Sequence, residues 1–177
     1  MMNTACSLIG AAVLAAMSGA AMADTSEVLF KHKNWMVEGV TYDDGTVACL
    51  AEVSDPNDNF SIWVYPDQSI SLQFFSTSWD FGATDSNADL KLQVDRRADW
   101  SLTGATLHSS SVWFDLPNSD DSVNFLAEIA GGSRLYLRNA DGSDVMDYPL
   151  SGSSASMAAM IDCGNAIAKK SANPFKS

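Results

Sequence analysis

Positive charge is scarce in this 177-residue chain: 10 Lys plus Arg stand against 22 Asp plus Glu, a formal net charge of −12. A field of that sign repels phosphate backbones and anionic headgroups, so nucleic-acid binding and direct membrane-surface binding are disfavoured. Histidine is scarcer still. His32 and His108 are the only two, and neither has a Cys or His partner at zinc spacing. His32 stands between two lysines and reads as a solvated strand residue; His108 lies among serines. No Gly-x-Ser-x-Gly or Ser-x-x-Lys run occurs, which removes the common serine-nucleophile signatures. No glycine-rich phosphate loop occurs either. The expectation is therefore a protein without catalytic, cofactor-binding or metal-ligating residues, and not an enzyme.

Long apolar runs are also missing, with one exception. Ala5 to Ala23 is almost wholly small or apolar and ends in Ala21-Met22-Ala23, a small-x-small cleavage pattern before Asp24. This reads as a secretory signal peptide over residues 1–23. The other reading is an uncleaved anchor, since the run approaches the roughly 20 residues needed to span a bilayer. Its Ala and Gly content makes it poorly hydrophobic for that. Cys6 precedes the apolar core and leaves with the leader. Residues 24–177 have the length of a single domain with a sizeable core. No integral membrane segment is expected after cleavage, and the expected location is periplasmic or secreted.

Of the three cysteines, Cys49 and Cys163 remain after cleavage. An even number in an exported chain suggests a disulfide, and two allow one pairing. Two buried free thiols are the alternative.

What is abundant is short alternating strands. The segment Glu27 to Tyr42 opens the domain, with Trp35 and Val37 alternating against Met36 and Glu38. Asp43-Asp44-Gly45 signals a hairpin turn. Thr46–Val53, Phe60–Tyr65 and Ser69–Phe75 follow, placing Cys49, Ala51 and Val53, then Ile70, Leu72 and Phe74, on single faces. Asp89–Asp95 alternates with Leu90, Leu92 and Val94 inward. Trp100 and Leu102 mark a short strand before Gly104, and Ser110–Leu116 is the next. Many short strands separated by turn signals indicate an antiparallel sandwich or barrel.

Two helices interrupt this pattern. The first, within 118–132, takes Ser119 or Asp120 as cap and Gly131 or Gly132 as stop. Its apolar stripe is Val123, Leu126, Ala127 and Ala130. Strands over Ser133–Asn139 and Ser143–Leu150 come next. The second helix is capped by Ser153, has Met157, Met160, Ile161, Gly164, Ile167 and Ala168 on one side, and carries Cys163 at the edge of that stripe. Lys169 and Lys170 suit its C-terminus. A short loose tail ends the chain.

Taken in order, Trp35-Met36-Val37, Cys49, SISLQFF, LQVD, FLAEIAGGSRLYL and YPLSGSSASMAAMIDC resemble bacterial invasion-associated locus B proteins. The resemblance covers nearly all of the mature chain and is strongest in the C-terminal helix. It implies a mainly β, immunoglobulin-like antiparallel β-sandwich with one short internal helix and a C-terminal helix, in the envelope or outside the cell. Where many members carry a further cysteine, Glu38 stands here, so no second disulfide is implied. The family name comes from members linked to invasion of host cells.

Two features are left as candidate binding elements. Asp55–Phe60 has the Asp-x-Asn-x-Asn start of a calcium loop, but Phe60 replaces the sixth-place glycine and Pro66 the closing glutamate. Turn aspartates that bond their own backbone explain it more simply. The aromatics are more informative. If Phe60, Ile62 and Val64 face the core, Trp63 and Tyr65 point away, and Trp113 does likewise beside Val112 and Phe114. They form a partner-binding platform, or ordinary core if the helices cover that face. The expected role is an exported protein acting through contacts with an unknown protein partner in the envelope or on a host cell. The alternative is a periplasmic carbohydrate- or calcium-binding module. The exported protein is predicted to begin at Asp24; an intact mass that retains residues 1–23 would turn the leader into an anchor.

Overall fold

The computed structural model describes residues 24–171, and the side chains of Lys170 and Ser171 are not among what it describes. The leader expected at 1–23, with Cys6, and the tail beyond Ser171 lie outside the described residues. The chain order is β1 (Thr25–His32), β2 (Trp35–Thr41), β3 (Val47–Ser54), β4 (Asp58–Val64), β5 (Ile70–Ser76), β6 (Ser86–Val94), β7 (Trp100–His108), β8 (Ser111–Leu116), α1 (Asp120–Gly131), β9 (Arg134–Asn139), β10 (Asp144–Pro149) and α2 (Ser153–Ser171).

The protein is mainly β and its strands pair antiparallel throughout. All ten form one continuous ladder, β1-β2-β3-β4-β5-β8-β7-β6-β9-β10, open at both ends, rather than two separately bonded sheets. The joining step is β5 against β8, which run in register from Ile70–Leu116 to Phe75–Ser111. The chain therefore leaves β5, builds the β6–β7–β8 meander, and returns to where it left.

The sheet curls so that its first and last parts meet. Phe60 of β4 and Phe74 of β5 both pack on Tyr148 of β10, with ring centroids 5.6 and 5.9 Å apart. Trp35 of β2 meets Phe60 edge-on at 6.0 Å and donates its indole N–H to the Pro149 carbonyl at 3.2 Å. One buried cluster runs through every strand except β1, and both helices contribute to it. Burial pushes the Tyr148 phenol well above its ordinary value, with the charges of Asp58, Asp55 and Asp147 adding to the effect.

Both helices lie on the inner side of this curl. Cys163 of α2 is bonded to Cys49 of β3, Gly164 rests against Val64 of β4, and Phe125 of α1 meets Trp100 of β7 at 5.5 Å. The disulfide, not a pair of free thiols, is what the cysteines form, with Cα atoms 6.0 Å apart and a sequence separation of 114.

Helix α1 starts at Ser119, whose side chain accepts the Ser122 N–H, and stops at Gly132. A Cβ on Gly132 would lie 2.3 Å from Val94 Cγ1, so only glycine permits this approach of helix to strand. The face of α1 differs from the expected stripe. Ser122, Phe125 and Ile129 are buried, while Val123 is 65% exposed. The reason is that α1 has two apolar faces: the aromatic one takes the core, and the stripe turns toward α2. Ser153 also differs from expectation. Rather than capping its own helix, its hydroxyl is buried and donates to Ile129 O at 2.8 Å, closing the C-terminus of α1. Gly152 beside it has φ +109, and a Cβ there would sit 2.4 Å from the His32 carbonyl.

Opening the disulfide releases a loop of most of the domain. Reduction, or Cys163→Ser, is predicted to lower stability by about 2–5 kcal/mol in urea titrations. Mapping without reductant should give one linked Cys49–Cys163 peptide; two separate peptides would contradict the structure.

Candidate functional site

The alternation that buries Phe60, Ile62 and Val64 turns Trp63 to the opposite, outer face of β4, and the same rule turns Trp113 outward on β8. Register then brings the two together. Trp63 faces Ser71 of β5, and Trp113 faces Gln73 of the same strand, so the indoles meet diagonally across β5. Their centroids are 6.1 Å apart with planes inclined at 40°. The helices occupy the other face of the sheet, so neither lies over this pair, and both indoles are half-buried.

A chain of side-chain hydrogen bonds anchors Trp63 beside Trp113. Trp63 Nε1 donates to Gln73 Oε1 at 3.0 Å, and Gln73 Nε2 donates to Ser111 Oγ at 3.2 Å. The same row continues into β3. Ser61 Oγ donates to Asn59 Oδ1 at 2.7 Å, and Asn59 Nδ2 donates to Glu52 Oε2 at 2.5 Å. Burial and then the like charge of Glu38 push the Glu52 carboxyl above its ordinary value, against the hydrogen bonds from Asn59 and Ser61. The result is an aromatic and amide surface held in one geometry, suited to stacking and hydrogen bonding.

Tyr65 stands apart from the indoles. Its phenol is half-buried at the end of β4, where burial raises its pKa, a hydrogen bond with Ser71 opposes, and the charges of Asp115 and Asp67 add. Ser71 itself donates to Asp115 Oδ1 at 2.5 Å. Of the three aromatics singled out in the sequence, Trp63 and Trp113 form one site and Tyr65 belongs to the neighbouring acidic corner.

The other candidates are plainer. Asp55 Oδ1 accepts the backbone N–H groups of Asn57 and Asp58 at 2.9 and 3.0 Å, the behaviour of a turn aspartate. Among the described residues, no three His, Cys, Asp or Glu side chains gather to hold a metal ion. His108 Nδ1 lies 2.7 Å from Asp85 Oδ1, both side chains exposed. His32 is exposed near the edge of the sheet. Among the described residues, no helix is long and apolar enough to cross a membrane.

One feature escaped the sequence reading: a hollow of about 380 Å³ between α1 and α2, floored by Val64 and Met157 and walled by Leu126. Its signal was the stripe Val123, Leu126, Ala127 and Ala130, all of which line it. The stripe is correctly apolar, but periodicity does not say which neighbour an apolar face meets.

Because Glu52 is raised, the folded state favours its protonated form. Stability is lost as pH rises through the ordinary glutamate range, and the loss is complete above the raised value. Glu52→Gln is therefore predicted to melt above the parent at pH 7, with the gap closing below that range; a gap independent of pH would contradict the burial of this carboxyl. Set against known proteins, the chain matches no family model, no curated protein and no solved structure.

Proposed function

We propose that this is an exported, non-enzymatic protein related to the invasion-associated locus B proteins, working through protein contacts in the periplasm or outside the cell. The observation that carries the reading is the Trp63–Trp113 pair, half-buried on a sheet face that neither helix covers. Trp is the residue most enriched among the side chains that dominate binding energy, and a pair in ring contact, with Trp63 tied to Gln73, loses little freedom on contact.

Three further points support the reading. The Cys49–Cys163 disulfide suits an oxidising compartment outside the cytosol. The apolar leader of residues 1–23 fits export. The curl that packs Phe60 of β4 and Phe74 of β5 on Tyr148 of β10 supports an immunoglobulin-like sandwich as the reading of this single sheet, with a hydrogen-bonded joint at β5–β8. Host invasion is not part of the proposal, because nothing in the chain's own chemistry calls for it.

A second reading is a carbohydrate-binding module, favoured by one detail: two inclined indoles with the Gln73 amide between them offer stacking and hydrogen bonds at one spot. Tryptophan fluorescence titrated with glycans, and separately with calcium, distinguishes it; saturable quenching would favour it over protein contact.

The main test is cross-linking in intact cells followed by mass spectrometry, with parent and Trp63→Ala/Trp113→Ala protein. Replacement is predicted to cut recovery of the specific partner at least tenfold while the circular dichroism spectrum stays unchanged. Undiminished recovery from the double variant would remove this face from the proposal.

A further inference from the structure

The hollow between α1 and α2 is a separate surface, on the inner side of the sheet and away from the indole pair. It is held open rather than collapsed. At one end Ser153 ties the start of α2 to the last carbonyls of α1. Near the middle, Gln68 Nε2 reaches from the β4–β5 turn to the Gly164 carbonyl at 3.3 Å. Gln68 does this from a left-handed backbone, φ 69, a conformation that costs a non-glycine residue energy. The disulfide fixes the same turn of α2 to β3. Gly164 permits the tight seat, since a Cβ there would stand 3.0 Å from Val64 Cγ1.

Its rims are apolar as well as its floor. Val123 on α1 is 65% exposed and Ile161 on α2 is 58% exposed, and both line the hollow. Past the start of α1 the hollow runs into a polar depression with Asp67 and Ser119 in its wall, and around the turn into another with Asp67 and Asp115. Asp120 and Asp121 stand in the first turn of α1. No Lys or Arg lines any of these three spaces among the described residues.

We propose that the α1–α2 hollow is a docking site for a cationic amphipathic helix of a partner protein, its apolar ridge between Val123 and Ile161 and its Lys or Arg flank over Asp67 and the start of α1. Charge decides the sign of the occupant: an acidic mouth repels fatty carboxylates, anionic lipid and acidic peptides, and attracts basic ones. Shape decides its size. A small amphiphile seated on the floor would leave the two rim side chains bare, whereas a helical ridge covers floor and rims together. The stretch of α1 from Val123 to Ala130 gives a groove wall about 10 Å long, enough for two turns of a docked helix. This site does not rest on the indole face, and loss of one need not affect the other.

The test uses the oxidised mature protein and a labelled 14-residue helical peptide with Leu at positions spaced three and four apart and Lys on the flanks. A twin carries Glu in place of Lys. Fluorescence anisotropy should show the Lys peptide binding at least tenfold tighter than the twin, weakening as salt is raised. Ile161→Lys and Val123→Lys should each weaken it at least tenfold without lowering the melting temperature, since both side chains are already exposed; Trp63→Ala/Trp113→Ala should leave it unchanged. Equal binding of the twins, or binding indifferent to Ile161→Lys, would overturn the proposal. So would tighter binding of dodecyltrimethylammonium with the same dependence on both rim residues, or a dimer of the protein itself that Ile161→Lys dissolves.

Discussion

The contact on which the rest depends is the packing of the end of one long, open sheet against its own middle. Trp35, Phe60, Phe74 and Tyr148 come from β2, β4, β5 and β10, so the first and last parts of the chain supply them together. Their rings bury large apolar areas in edge-on, tilted and stacked contacts, each worth about 0.5–1.5 kcal/mol beyond burial alone. The Trp35 indole then spends its one polar group on Pro149, so the cluster leaves that donor satisfied. Without this packing the inner face of the ten-stranded sheet would be open to water on a single layer. With it, β10 is delivered to the His32 turn, where Gly152 fits beneath the carbonyl and the second helix begins.

Everything at the C-terminus follows from that delivery. Ser153 meets the end of α1, the turn carrying Cys163 meets β3, and both helices are committed to the inner side. The outer side is left to strand side chains alone. Strand register, rather than loop geometry, therefore sets the indole pair and the Gln73 and Asn59 bonds beside it. A surface built this way is stiff, because moving one residue would require moving a ladder. The aromatic face and the helical groove thus have different characters: one is fixed by backbone pairing, the other by two helices pinned at a few points.

How much of this the sequence carries depends on the scale of the question. The alternation of Phe60, Ile62 and Val64 against Trp63 reads directly, because strand side chains have a period of two. The Asp43–Gly45 turn also reads directly. The hairpin between β1 and β2 does not: its turn at Lys33 takes φ 54 with no glycine to announce it, so Glu27–Tyr42 looks like one stretch. Strand β7 likewise runs through Gly104, φ 76, where a glycine suggests a stop. The outward row of Glu52, Asn59, Ser61 and Gln73 is invisible beforehand, since it depends on cross-strand partners far apart in sequence. The same limit explains α1, whose stripe of Val123, Leu126, Ala127 and Ala130 is legible while the neighbour it meets is not, and the single ladder, which hinges on the long return of β8 to β5.

The two free edges of the sheet share a detail with a wider consequence. The register slips between Val28 and Phe30 on β1, and again between Asp144 and Met146 on β10. Each outermost strand is thus kinked by an extra residue, and β10 also ends in proline. A kinked edge presents no straight row of amides for another strand to copy, which is how natural sheets resist growth into fibrils. A β-rich chain can then be held at high concentration without its ladder extending from molecule to molecule.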